Sequence, residues 1–197
     1  MKGSRPHRSE GVVSVAGLVA LSAVVAGCAG TRPAWPPDPE AWHVVESSSC
    51  EFSLRMPGAP TEREGTDRRG IRIHEYAALV SGQYLHTALC ASADEPRSGD
   101  AAEAFVRARL DFERQAIEQR GWQLREGRLL HVGSCPAWQL VSVEGGIETS
   151  TRFIWAGERA FFLGAAGPAG DAATRRVADS MLDSLRSPRC EPGGATR

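Results

Sequence analysis

Two runs decide the fold: Ile71-Arg-Ile-His-Glu-Tyr-Ala-Ala-Leu-Val80 and Gln83-Tyr-Leu-His-Thr-Ala-Leu-Cys-Ala-Ser-Ala93, separated by Ser81-Gly82. Both are rich in Ile, Leu, Val and Tyr, and the Ser-Gly pair between them is turn chemistry, so they read as a β-hairpin. A two-residue loop sets Val80 opposite Gln83, and therefore Leu79 opposite Tyr84 and Glu75 opposite Ala88. On that register one face carries His74, Tyr76, Val80, Leu85 and Leu89, and the other Ile71, Ile73, Leu79, Tyr84, Ala88 and Cys90. Both faces are largely apolar, which predicts a sheet covered on both sides. The same register makes Glu75 and His86 diagonal neighbours on one face, a placement that permits a hydrogen bond and would raise the His pKa.

Working outward, Phe52-Ser-Leu54-Arg-Met56 has period-two spacing and stops at Pro57-Gly58, so it predicts a strand ended by a turn. Downstream, Asp100-Ala-Ala-Glu103 predicts a helix start with Asp100 as N-cap, and Gly121 its stop. Phe105, Phe112 and Ala116 share one face of that helix, Val106, Leu110 and Ile117 lie beside them, and Arg109 and Glu113 form an i, i+4 pair between the groups. Strands follow at Gln123–Val132, Ala137–Glu144, Glu148–Ala156 and Arg159–Ala166, with Gly157-Glu158 as the turn joining the last two. Asp171–Arg186 predicts a second helix that buries Val177, Ala178, Met181, Leu182 and Leu185 and ends before Pro188. A β block, a helix, a β block and a helix make an α+β architecture, an antiparallel β-sheet with helices packed on its faces.

The N-terminus is read differently. Lys2, Arg5 and Arg8 precede an uncharged stretch from Gly11 to Ala26, too short for a bilayer span and suited to the apolar core of a signal peptide. It ends in Val25-Ala26-Gly27-Cys28, an aliphatic residue, two small residues and a Cys, which resembles the lipobox of bacterial lipoprotein precursors. The resemblance implies that residues 1–27 are removed as a lipoprotein signal peptide and that Cys28, acylated with palmitate or a like chain, anchors the chain to a membrane. Two or three acyl chains hold stably where one does not. Ala29 in place of an Asp after the Cys implies the outer membrane, facing the periplasm, if the source is diderm. Residues 28–41, with Pro33, Pro36, Pro37 and Pro39, read as a Pro-rich extended linker. Residues 42–190 read as a single α+β domain, and 191–197 as a flexible tail.

The domain also resembles a fold family. An opening strand of the form Phe52-x-Leu54-x-Met56-Pro57, paired long strands, a central helix, a meander and a final helix ending Met181-Leu182-Asp183-Ser184-Leu185 is similar to the PsbP-like α-β-α sandwich. That fold is shared by a photosystem II extrinsic protein, a Ran-binding import factor and many bacterial lipoproteins. The resemblance covers about residues 44 to 188. It implies a binding or assembly accessory and carries over no catalytic residue.

Composition narrows the chemistry. The chain has 23 Lys plus Arg against 24 Asp plus Glu and a net charge of -1, which argues against an electrostatic nucleic-acid binder. Lys2 is the single Lys, which excludes a Schiff-base Lys and a phosphate-loop Lys from the domain. Four Cys accompany Cys28: Cys50, Cys90, Cys135 and Cys190, the even number that an exported chain uses for two disulfides. Three pairings are open. Cys50 precedes the first strand and Cys190 follows the last helix, so a bridge between them would staple the domain's ends and leave Cys90 with Cys135.

No metal site is expected, since no C-x-x-C, H-x-H or H-E-x-x-H spacing occurs, and no cofactor is implied. His43, His74, His86 and His131 read as partly exposed sheet residues. Gly164-Ala-Ala-Gly167-Pro-Ala-Gly170 reads as a flexible loop, since the Lys of a phosphate loop is missing. Trp122, Trp138, Trp155, Phe153, Phe161 and Phe162 read as core packing. Arg68, Arg69 and Arg72, balanced by Glu62, Glu64 and Asp67, read as a solvated turn. The leading expectation is a lipid-anchored, non-enzymatic envelope protein that binds another envelope protein or assists its assembly. A small-ligand binder with an aromatic pocket comes second, and an enzyme assembled from scattered Glu, Asp and His comes third.

Overall fold

The computed structural model describes residues 35–67, 70–93 and 95–191. The Val25–Cys28 motif, Arg68 and Arg69 lie outside them. A small hairpin, β1 (His43–Ser47) and β2 (Phe52–Met56), precedes a seven-stranded antiparallel sheet of order β3-β4-β5-β9-β8-β7-β6. Its strands are β3 (Thr61–Thr66), β4 (Arg72–Val80), β5 (Tyr84–Ser92), β6 (Gln123–Val132), β7 (Cys135–Glu144), β8 (Ile147–Ala156) and β9 (Arg159–Pro168). Helix α1 (Gly99–Gln119) carries the chain from β5 to the far edge at β6, and α2 (Ala172–Asp183) follows β9.

Two cores lie on opposite faces of the sheet. On one face the β1–β2 hairpin and α2 bury Phe52, Leu54, Met56, Met181, Leu182 and Leu185 against Tyr76, Ala88, Ile154, Phe161 and Leu163. On the other, α1 lies over β6, β7 and β8 and buries Val106, Leu110 and Ile117 against Trp138, Leu140, Phe153 and Trp155. β7 and the Phe153–Ala156 end of β8 are therefore covered on both faces, and it is there that the two strands are most apolar.

The β4–β5 hairpin corrects the expected register by one residue. Val80 pairs with Tyr84, Ala78 with His86 and Tyr76 with Ala88. Ser81 and Gly82 both have positive φ, and the Gln83 amide donates to the Val80 carbonyl as a tight turn requires, but Gln83 then bulges out of the ladder. A one-residue slip turns a whole strand over. Here it places Tyr84, His86, Ala88 and Cys90 on the buried side beside Tyr76, Ala78 and Val80. Glu75 and His86 consequently sit on opposite faces and do not pair.

The expected two-sided cover is also incomplete. The opposite side of β4–β5 carries Ile73, Ala77, Leu79, Leu85 and Leu89, α1 does not extend over it, and Leu79 is 52% exposed.

Several boundaries move for identifiable reasons. The N-cap of α1 is Ser98, in extended conformation, so Asp100 falls inside the first turn, where its charge still favours the helix dipole. α2 stops at Asp183 instead of Arg186, because Arg186 leaves the helix to exchange two backbone hydrogen bonds with Ser53 of β2, at 2.8 and 2.9 Å. β3 was not expected: Thr-Glu-Arg-Glu-Gly-Thr contains no apolar residue and is exposed throughout. Its charges suit an edge strand that must not pair with another chain. β1 was likewise not singled out, and Gly164–Pro168, read as loop, belongs to β9.

The four cysteines form two bridges, Cys50–Cys90 and Cys135–Cys190, not the end-to-end pairing set out above. Cys50 sits in the β1–β2 turn, which folds down onto the end of β5, and Cys190 returns after α2 to the start of β7. Each bridge thus ties the hairpin-and-α2 layer to the sheet. Gly133 makes the second closure possible. It has positive φ, the neighbouring Ser134 amide donates to the Cys190 carbonyl, and a Cβ at Gly133 would stand 1.9 Å from that oxygen.

Part of the Pro-rich stretch is docked on the domain. Asp38 caps a 3-10 turn at Pro39–Ala41, Arg55 donates to the Pro39 carbonyl, and the Trp42 indole donates to the Pro37 carbonyl at 3.4 Å. Trp35 reaches Tyr84 on β5.

Candidate functional site

Three places gather polar groups. The first is at the β3 edge, where register alone does the gathering: Glu64 stands opposite His74 and Glu62 opposite Tyr76. Glu64 Oε1 lies 3.1 Å from His74 Nδ1, Ser49 Oγ 3.4 Å from the same nitrogen, and the Tyr76 hydroxyl donates to Glu62 at 2.8 Å. One ligand atom from each of Glu62, Glu64 and His74 falls within 4.8 Å of the others. Two carboxylate oxygens and an imidazole nitrogen suit a borderline divalent ion such as zinc better than a hard, all-oxygen cation. Both glutamates are exposed. Sequence spacing did not reveal the group, because the His is on a different strand from the two Glu. Burial, and then the hydrogen bond to Glu62, raises the Tyr76 pKa against the opposing contact from Ser47.

The second is a slot between the start of β5 and the head of α2. Asp171 caps α2, accepting from the Ala173 amide at 2.9 Å and the Thr174 hydroxyl at 2.8 Å. The Trp35 indole N–H donates to Asp171 Oδ2 at 3.2 Å, and the Tyr84 hydroxyl reaches the same oxygen at 3.4 Å. Trp35 stacks on Tyr84 with ring centroids 3.5 Å apart and 9° between planes. The Thr174 bond, followed by the Ala173 and Trp35 donors, holds the Asp171 carboxyl below its ordinary pKa. Burial and the Asp171 charge raise that of Tyr84.

His86 completes this slot, its ring 6.1 Å from that of Trp35. It is 1% exposed, and neither ring nitrogen has a hydrogen-bond partner among the described residues. Burial lowers its pKa to about 4. His86 is therefore not a partly exposed sheet histidine, in contrast to His43 and His131. The slip in the β4–β5 turn is what put it inside.

The third group is a set of ion pairs, one of them buried and two with one partner exposed. Arg109 and Glu113, expected as a helical pair, face inward on α1 at 2.6 Å. Burial raises the Glu113 pKa against the pull of Arg109 and Arg120, and lowers that of Arg109. Arg152 of β8 donates to Gln139 at 2.6 and 3.2 Å and to Asp183 at 2.8 Å, fastening the last turn of α2 to the sheet. Arg175 makes a two-pronged contact with Glu148 at 3.0 and 2.7 Å near the start of α2. Sequence alone does not reveal Arg152 and Gln139, since neither shows a partner until β7 and β8 are paired.

The expected residues are thus distributed as follows. Cys28 lies outside the described residues. Cys50, Cys90, Cys135 and Cys190 are joined in the two bridges, and the six Trp and Phe residues pack into the two cores, Phe161 beneath α2 and the other five beneath α1. At the β3 edge Ser49 and Glu64 both reach Nδ1 of His74, so the imidazole does not stand between a hydroxyl and a carboxylate.

No protein-family model matches the chain, and no curated protein matches it. Solved structures do. The chain is similar to the solution structure of cyanobacterial PsbP (CyanoP) from Synechocystis sp. PCC 6803, with a TM-score of 0.53 at 8% identity over 83% of this chain and 97% of that one. A crystal structure from Bacteroides thetaiotaomicron VPI-5482 matches with a TM-score of 0.40 and 15% identity over 78% of this chain and 50% of that one. The fold is PsbP-like: an antiparallel sheet with helices packed on its two faces. At such low identity the likeness concerns the fold and transfers no residue's role.

Proposed function

We propose that this chain is a lipid-anchored protein of the bacterial cell envelope whose PsbP-like domain is a non-catalytic accessory that binds another envelope protein or assists its assembly. The observation that carries the binding part is the side of β4–β5 that α1 does not reach, where Leu79 is exposed and Ile73, Ala77, Leu85 and Leu89 are half-buried around Glu75 and Thr87. Apolar side chains left partly open to solvent among polar neighbours are a feature of interaction sites on soluble domains. The Val25-Ala26-Gly27-Cys28 motif supports the anchor and the two disulfides support an oxidising compartment. Balanced charge disfavours nucleic acid as the partner.

In-cell crosslinking of the full-length chain, with Cys28→Ser and Leu79→Asp as comparisons, tests this. The expected outcome is one envelope protein enriched with the wild type and lost with either variant, together with release of Cys28→Ser from membranes. Retention of a fully acylated Cys28→Ser form overturns the anchor, and an enrichment unaffected by Leu79→Asp overturns the assigned face. A second reading, a small-ligand-binding lipoprotein, draws on the slot at Tyr84, His86 and Asp171.

A further inference from the structure

The slot between β5 and α2 is built for one kind of guest. Its floor is the face of Tyr84, its wall is the ring of His86, and its polar end is the Asp171 carboxylate, fixed by the Thr174 hydroxyl and the Ala173 amide. A planar ring with an N–H at its edge fits all of it, stacking on Tyr84 while donating to Asp171. Trp35 does both. Beneath it, His86 is buried with two unused ring nitrogens. Leaving buried polar atoms without partners costs free energy, so the arrangement is retained at a cost that packing alone would not require.

We propose that Tyr84, His86, Asp171 and Thr174 form an indole-recognition site, held shut by the chain's own Trp35. Trp35 belongs to a Pro-rich stretch, so the guest is tethered next to its host at a high effective concentration and excludes an outside indole. When Trp35 withdraws, the Asp171 oxygen, the Tyr84 face and the His86 wall become available to the tryptophan side chain of another polypeptide. Around His86, the cross-strand neighbours Ala78 on β4 and Ala165 on β9 carry no charge, and among the described residues Tyr84 and Asp171 are titratable groups of the same slot. Protonation of His86, which burial opposes, requires the slot to open.

The test uses the full-length chain in detergent and N-acetyl-tryptophanamide as the probe. Trp35→Ala removes a half-buried side chain at the margin of the domain, and Asp171→Asn keeps a capping residue on α2. The expected result is saturable millimolar binding of the probe to Trp35→Ala, none to the wild type, and at least a fivefold weakening when Asp171→Asn is added. In 5-fluorotryptophan NMR, the wild-type Trp35 resonance, identified by its loss in Trp35→Ala, should sit away from the solvent-exposed position. The His86 titration followed by proton NMR should move upward in Trp35→Ala. Equal probe binding by wild type and Trp35→Ala, or a Trp35 resonance at the exposed position, overturns the proposal.

Discussion

Lowering the pH should destabilise this domain through His86 by an amount the structure lets us work out. The imidazole is 1% exposed and its pKa is lowered from 6.5 to about 4 by burial. In the unfolded chain it takes up a proton near pH 6.5, whereas in the folded chain it resists until about 4. As pH falls through that window the unfolded state binds more protons, so stability falls, and below pH 4 the loss levels off. At 1.36 kcal/mol per pKa unit, the loss relative to pH 7 is about 2 kcal/mol at pH 5 and about 3 kcal/mol at pH 4.

His86→Leu removes the titration while filling a similar space. The assay is urea unfolding of both proteins at pH 7, 5 and 4, disulfides intact, followed by tryptophan fluorescence. Carboxylates that titrate alike in both proteins cancel in the difference. The stability of wild type minus that of His86→Leu should drop by about 2 kcal/mol between pH 7 and 5. A difference that stays flat with pH would show that His86 is solvated or partnered and would refute the reasoning about its burial.

Four further outcomes are expected. Replacing both Cys50 and Cys90 by Ser opens a closure of 40 residues, and losing the Cys135–Cys190 bridge opens one of 55; each should cost about 4 kcal/mol by loop entropy, read from denaturation midpoints with and without reductant. Peptide mapping of the oxidised protein should recover Cys50–Cys90 and Cys135–Cys190, and a Cys50–Cys190 fragment would contradict the layering described above. Gly133→Ala should destabilise strongly, because its Cβ would meet the Cys190 carbonyl at 1.9 Å in a left-handed backbone conformation, whereas Gly145→Ala, which meets nothing within 4 Å, should cost only the backbone strain of about 1 kcal/mol. Arg152→Met should cost about 2 to 4 kcal/mol in thermal or urea unfolding, since it leaves Gln139 buried without its partner; a change below about 0.5 kcal/mol would show that the Asp183 and Gln139 contacts are idle.

Period and punctuation in the chain were enough for the order of elements. The alternation in Phe52–Met56, the β-type runs from Gln123 to Ala166 and the apolar faces of the two helices are local signals, set by which side chains can be buried on a pleat or a helix face. They place β2, β6, α1 and α2 to within a few residues and lead to the α+β architecture. Cys50, Cys90, Cys135 and Cys190 could be named as a disulfide set by counting.

Tertiary structure decided what depends on two segments meeting. One bulged residue at Gln83 chose which face of β5 goes inside, and so made His86 a buried wall of a slot instead of a partner for Glu75. The fold of the β1–β2 turn onto β5, and the return of the chain after α2 to β7, chose the disulfide pairing among the three that counting allowed. β3 became a strand because β4 offered it an edge, and only that pairing brought Glu62 and Glu64 to His74. Trp35, which composition assigns to a spacer, found a stacking partner and an acceptor on elements far away in sequence. Local pattern reports burial preference along one segment, whereas these features are long-range pairings whose energies appear only when a second surface arrives.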